Sequence, residues 1–156
     1  MGILKMEGVV MESEAREELK RADHLIFVTL KYTRTVDVIK NIIKRLINAF
    51  ELATDDALVY AKKKRKIATI PMLQKLKCDM LSKVIKDERI KEYRDFYNML
   101  KRIDRAEFSG KEEYRKHVAL IVLEEGKTTD ITTDMIHDFF EKTKEFVDFI
   151  EEWVSK

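Results

Sequence analysis

Five consecutive cations, Lys62-Lys63-Lys64-Arg65-Lys66, are the sharpest chemical feature of this chain. Adjacent positive charges repel one another, and a polyanion that sheds its own counterions on contact relieves that repulsion. No aromatic residue interrupts the five, so contact of this kind grips a nucleic-acid backbone and reads no bases. A plainer reading stands beside it: cations at a helix C-terminus complement the helix dipole, which accounts for roughly two or three of the five. A second constellation is Tyr114-Arg115-Lys116-His117. Histidine exchanges protons near neutral pH, and arginine holds phosphate. Arg115 and His117 together have the chemistry for metal-independent RNA cleavage through the 2′-hydroxyl. The alternative is a half-exposed histidine among surface charges.

Metal chemistry has weaker support. Glu113 and His117 lie four apart, and Asp134, His137, Asp138 and Glu141 share one helical face. Bundle metal centres take a Glu-x-x-His from each of two helices. Here one match is Asp-x-x-His and the other has the wrong step, so ion-paired surface is the better reading. No metal and no other cofactor is expected. There is no Gly-rich phosphate loop, nucleophile elbow or Cys/His zinc spacing, and four glycines are too few for a phosphate cradle. Cys78, the single cysteine, falls between Leu76 and Met80 in a helical pattern and reads as a packing residue. With no second cysteine in the chain it fits a reducing compartment.

Charged residues make up 38% of the chain, against a usual ~25%. Lysine and arginine number 31 and acids 29, leaving +2. That balance excludes both an acidic tail and a histone-like polycation, and the Lys/Glu richness resembles proteins of hot environments. No stretch approaches ~18 apolar residues, and the first ten residues lack a signal-peptide pattern. A cytoplasmic protein with no membrane contact is expected.

The elements that must position these groups read as helices. Between Ser13 and Lys156 stand one proline, Pro71, and two glycines, Gly110 and Gly126, in a background of strong helix formers. The expected fold is all-α, a mostly antiparallel bundle of five to six helices in a single domain over residues 13–156, after a flexible arm at 1–12. Ser13 caps the first helix. Leu25–Thr35 is rich in β-branched and aromatic residues but has no partner strand in this reading, so it stays helical or turning. The second helix carries Ile39, Ile43, Leu46, Phe50, Ala53, Ala57 and Tyr60 in heptad spacing and is central. Pro71 ends it, and Asp87 caps the fourth helix, striped by Ile90, Tyr93, Tyr97, Leu100 and Ile103. Ser109-Gly110-Lys111-Glu112 matches a capping box and opens a fifth helix, with Gly126 closing it. Thr132 caps the sixth. This last helix bears a second stripe, Phe139, Phe146 and Trp153. Either the stripe faces a second copy of the chain in a homodimer, or the helix is buried on both sides.

The long helix Val36–Tyr60, the aromatic helix Tyr93-Arg94-Asp95-Phe96-Tyr97, and Arg115 with His117 resemble the HEPN superfamily, small helical bundles that associate with nucleotides and nucleic acids. The resemblance covers most of the chain and rests on helix order. Its active members cut RNA with an Arg and a His four to six residues apart at a dimer cleft. Here Arg115 and His117 are separated by one residue, so the resemblance implies at most a dimeric binding or inactive member, with ribonuclease activity through His117 and Arg115 as the alternative. The reading as a whole is a helical interaction module, homodimeric, that touches RNA, DNA or a protein partner through Lys62–Lys66.

Overall fold

The computed structural model describes residues 3–6 and 9–156. Within the twelve residues expected as a flexible arm, β1 (Ile3–Met6) and β2 (Val9–Glu12) pair antiparallel, Ile3 opposite Glu12. Met1, Gly2, Glu7 and Gly8 lie outside the described residues. Helix α1 (Glu14–His24) starts where the Ser13 hydroxyl accepts the Arg16 N–H, with Glu14 and Glu17 at its positive end. It runs on into a π-helical turn at Leu25–Thr29 and a last short turn at Leu30–Tyr32. Thr35 caps the long α2 (Val36–Lys63). The chain then breaks around Pro71. Helix α3 (Gln74–Val84) and helix α4 (Arg89–Arg105) follow; Asp87 accepts the Arg89 N–H at 2.9 Å where α4 begins. Helix α5 (Thr133–Val154) starts at Thr132, whose hydroxyl accepts the Met135 N–H.

Residues 107–132 correct the all-α expectation. They form a three-stranded antiparallel sheet, β3 (Glu107–Lys111), β4 (Ala119–Glu124) and β5 (Lys127–Thr132), in that spatial order. The protein is mostly helical, with this three-stranded sheet and the two-stranded β1–β2 pair beside the helices. Ser109 caps nothing: it lies in β3 opposite Ile121. The physical reason is a short apolar run of strand length: Val118, Ala119, Leu120 and Val122 are buried, whereas Leu123 is exposed. Glu125 (φ 51°) and Gly126 (φ 77°) make the two-residue turn that joins Glu124 to its partner Lys127, so Gly126 closes a hairpin rather than a helix.

Contacts along the helices set their directions. Arg16 pairs with Asp148 and Glu151, and Phe27 meets His137, so α1 runs antiparallel to α5. Phe50 meets Phe146 and Tyr60 meets Trp153, so α2 and α5 run parallel. Tyr93 packs on Phe146 and Phe96 on Phe139, so α4 runs antiparallel to α5. Ile39, Ile42, Ile43 and Leu46 of α2 are fully buried at the centre.

The stripe Phe139-Phe146-Trp153 is spent inside the protomer, which corrects its assignment to a homodimer interface. Phe139 and Phe146 are buried, and Trp153 is half-buried against Tyr60. Helix α5 is covered by α1 and α2 on one side and α4 on another, so both apolar stripes find partners within one chain. Among the described residues, no helix is long and apolar enough to cross a membrane.

One end of the α1–α2–α5 packing gathers carboxylates. Asp56 is exposed, but partial desolvation, then the charges of Asp55, Glu14 and Glu151, push its carboxyl from 3.8 up to about 6. A carboxyl raised on folding favours its protonated form, so its contribution to stability is full below about pH 4 and is lost as pH rises through about 6. Asp56→Asn removes that loss. The melting temperature of the variant should gain on the parent between pH 4 and pH 7; an equal difference at both pH values would contradict this.

Candidate functional site

The basic run sits where α2 ends. Lys64 is the cap. The Arg65 N–H bonds to the Lys62 carbonyl and the Lys66 N–H to the Ala61 carbonyl, the paired bonds of a Schellman turn. Such a turn needs a left-handed residue, and glycine is the usual choice because it has no Cβ. Here the position is Arg65, at φ 59°. All five cations are exposed. Among the described residues none of them has a carboxylate partner. The Lys64 Nζ stands 5.6 Å over the Tyr60 ring and the Lys66 Nζ 5.2 Å over Trp153, and these two rings meet edge to face at 5.2 Å. The sequence shows no aromatic within the run, yet the parallel packing of α2 and α5 puts two beneath it. Each such contact is worth about 0.5–1 kcal/mol at an exposed site and steadies the lysines it holds.

A second cationic feature lies at the other end of α2. The loop after β3 docks on the corner Arg34–Val36. The Glu113 carboxylate accepts the Val36 N–H at 3.0 Å, an extra cap for α2, and the Tyr114 N–H bonds to the Arg34 carbonyl at 2.6 Å. A Cβ on Gly110 would stand 2.9 Å from the Glu113 side chain, so a larger residue there would make the capping carboxylate shift. Glu112 (φ 51°) and Tyr114 (φ 66°) are held in left-handed backbone, a strain of order 1 kcal/mol each. The loop thereby brings Lys116 opposite Lys31 and Arg34 across a cleft of about 270 Å³, whose lining includes Phe27, Thr133 and His137.

Arg115 and His117 lie in this loop and not inside a helix, because the expected fifth helix is replaced by the sheet. Both are exposed, and their neighbour Lys116, not they, lines the cleft. Glu113, read beside His117 as a possible metal pair, is committed to the α2 cap. Asp134, Asp138 and Glu141 are exposed on α5, while His137 is half-buried in the cleft. Among the described residues no three His, Cys, Asp or Glu side chains gather as ligands would. Cys78 is half-buried between α3 and the core, and burial pushes its thiol up, away from the reactive thiolate. Arg34, Lys31 and His137 were not singled out from the sequence as a group; only the folded π turn and the docked loop assemble them.

No protein-family model matches the chain, and no curated protein or solved structure matches it either.

Proposed function

We propose that this protein is a nucleic-acid-binding helical bundle that holds single strands by their phosphates at the Lys62–Lys66 end of α2. The observation that carries the reading is five exposed cations with no carboxylate partner among the described residues, two of them, Lys64 and Lys66, steadied over an aromatic pair. Unpaired lysine and arginine heads release phosphate counterions on contact, which makes binding favourable and salt-dependent. Recognition is of the backbone and independent of sequence. The resemblance to the HEPN superfamily implies the same class of ligand. Arg115 and His117 do not converge on a groove, so the reading includes no strand cleavage.

Arg65 adds a specific argument. Its left-handed backbone would be relaxed in glycine, yet the position keeps a cation. Arg65→Gly should raise stability by about 1 kcal/mol, a melting temperature higher by roughly 2–4 °C. The same change should weaken RNA binding severalfold. Unaltered binding in a stabilised variant would count against a role for this turn.

The experiment is a gel of labelled single-stranded RNA and DNA with the purified protein in EDTA, at low and high salt. The expected result is an intact, shifted band that disappears at high salt. RNA cleaved in EDTA, and spared by His117→Ala, would replace this reading with the ribonuclease one. No shift and no cleavage would leave a protein-binding module.

A further inference from the structure

We propose that the cleft at the start of α2 is a separate site for a nucleoside monophosphate, either free or as the phosphorylated end of a strand. It goes beyond the backbone reading above and does not depend on it: the 28 residues of α2 separate the two features by about 42 Å.

Four observations converge. Lys31 and Arg34, from the segment that follows the π turn, and Lys116, from the loop before β4, line the cleft, and no carboxylate lines it. None of the three has an ion-pair partner among the described residues. Three such heads around one space favour a dianion such as a phosphate monoester. Thr133, the first residue of the 22-residue α5, adds the positive end of a helix dipole to the same wall.

Beside the cations stands an apolar platform. Phe27 leaves 50% of its surface exposed, and its ring is braced by His137 at 5.0 Å and Phe140 at 6.4 Å. A braced, open ring is a stacking surface for a base. The π turn at Leu25–Thr29 presents it: the wide turn places Ile26, Phe27, Leu30 and Lys31 together on one wall. Turns of this kind are frequent at functional sites. The opposite wall is the loop strained at Glu112 and Tyr114, and strain of that sort persists where surrounding contacts hold a ligand clamp in place. A volume of about 270 Å³ lies just under the roughly 300–1,000 Å³ of ligand pockets, so an open cleft of this size suits one nucleotide and not two.

The test is isothermal titration calorimetry of the full chain with adenosine 5′-monophosphate, inorganic phosphate and adenosine at low salt. The nucleotide should bind, phosphate more weakly, and adenosine at least tenfold more weakly than the nucleotide. Lys31→Glu combined with Lys116→Glu should weaken the nucleotide at least tenfold; both residues are exposed, and a thermal melt checks that the variant folds. Phe27→Ala should bring the nucleotide down towards phosphate while leaving phosphate unchanged, which keeps the proposal testable if the double variant misfolds. Lys62→Glu with Lys63→Glu should leave the titration unaltered, so failure here and failure of the backbone reading are told apart. In that background, a 5′-phosphorylated oligonucleotide preferred over its 5′-hydroxyl counterpart identifies a strand end as the source, and equal weak binding of both identifies the free nucleotide. A nucleotide that does not bind, binds no better than adenosine, or survives the double charge reversal would overturn the proposal.

Discussion

Between 50 and 200 mM salt, single-stranded RNA held at the Lys62–Lys66 end should lose about a hundredfold in affinity. Each cation that neutralises a phosphate on a single strand contributes about 0.7 to the slope of log affinity against log salt, so five give about 3.5. A fourfold rise in salt then costs roughly two decades. Reversing Lys62 and Lys63 to Glu removes two of these contacts and adds repulsion. The slope should fall by at least about 1.4 and the low-salt affinity by more than tenfold. Both side chains are exposed, and α2 keeps its capping turn through Lys64, Arg65 and Lys66, so the variant should keep a cooperative melt, lowered by a few degrees at most because Glu opposes the dipole at this helix end. Strands of different sequence should behave alike, because no group at this end is placed to read base edges.

The second large effect concerns Phe146. Its ring is 2% exposed, stacks on Phe50 at 4.4 Å and meets Tyr93 edge-on at 5.1 Å. Truncating a fully buried phenylalanine costs about 3–5 kcal/mol, a large part of the ~5–15 kcal/mol that holds a typical domain together. Phe146→Ala should lower the melting temperature by about 10 °C. Phe146→Glu buries an unpaired charge as well and should abolish a cooperative melt. An interface stripe would behave differently: light scattering would show a lower mass while the melt of the protomer stayed the same. That second pattern would contradict the packing described for α5.

What the sequence made legible follows from which forces are local. Ser13 and Thr132 start their helices as read, since a cap is decided by a side chain and a backbone N–H three residues on. The seam from Ile39 to Tyr60 made α2 the centre, because a heptad stripe over that length can be buried in one way only. The sheet was missed for the same reason in reverse. Ser109 and Glu112 satisfy a capping box locally, yet the strands are stabilised by pairings as distant as Glu107 with Leu123, which a local pattern does not register. The better signal was present: the continuous apolar run Val118–Leu123, of strand length, followed by Glu125-Gly126 at a tight turn.

The candidate sites divide in the same way. Lys62–Lys66 is contiguous and was visible at once. Trp153, which lies under Lys66, is distant in sequence and comes near only because α2 and α5 run parallel. Lys116 was read merely as the neighbour of Arg115 and His117, yet it is the one of the three that lines the cleft, because Glu113 and Tyr114 are pinned to the start of α2.

The most direct test of the central claim is fluorescence anisotropy of labelled single-stranded RNA against the parent protein and the Lys62→Glu, Lys63→Glu variant, in EDTA across a salt series. The account predicts intact RNA, a slope near 3.5 for the parent, and a shallower slope with weaker binding for the variant. A slope near zero, or equal binding by parent and variant, would contradict it.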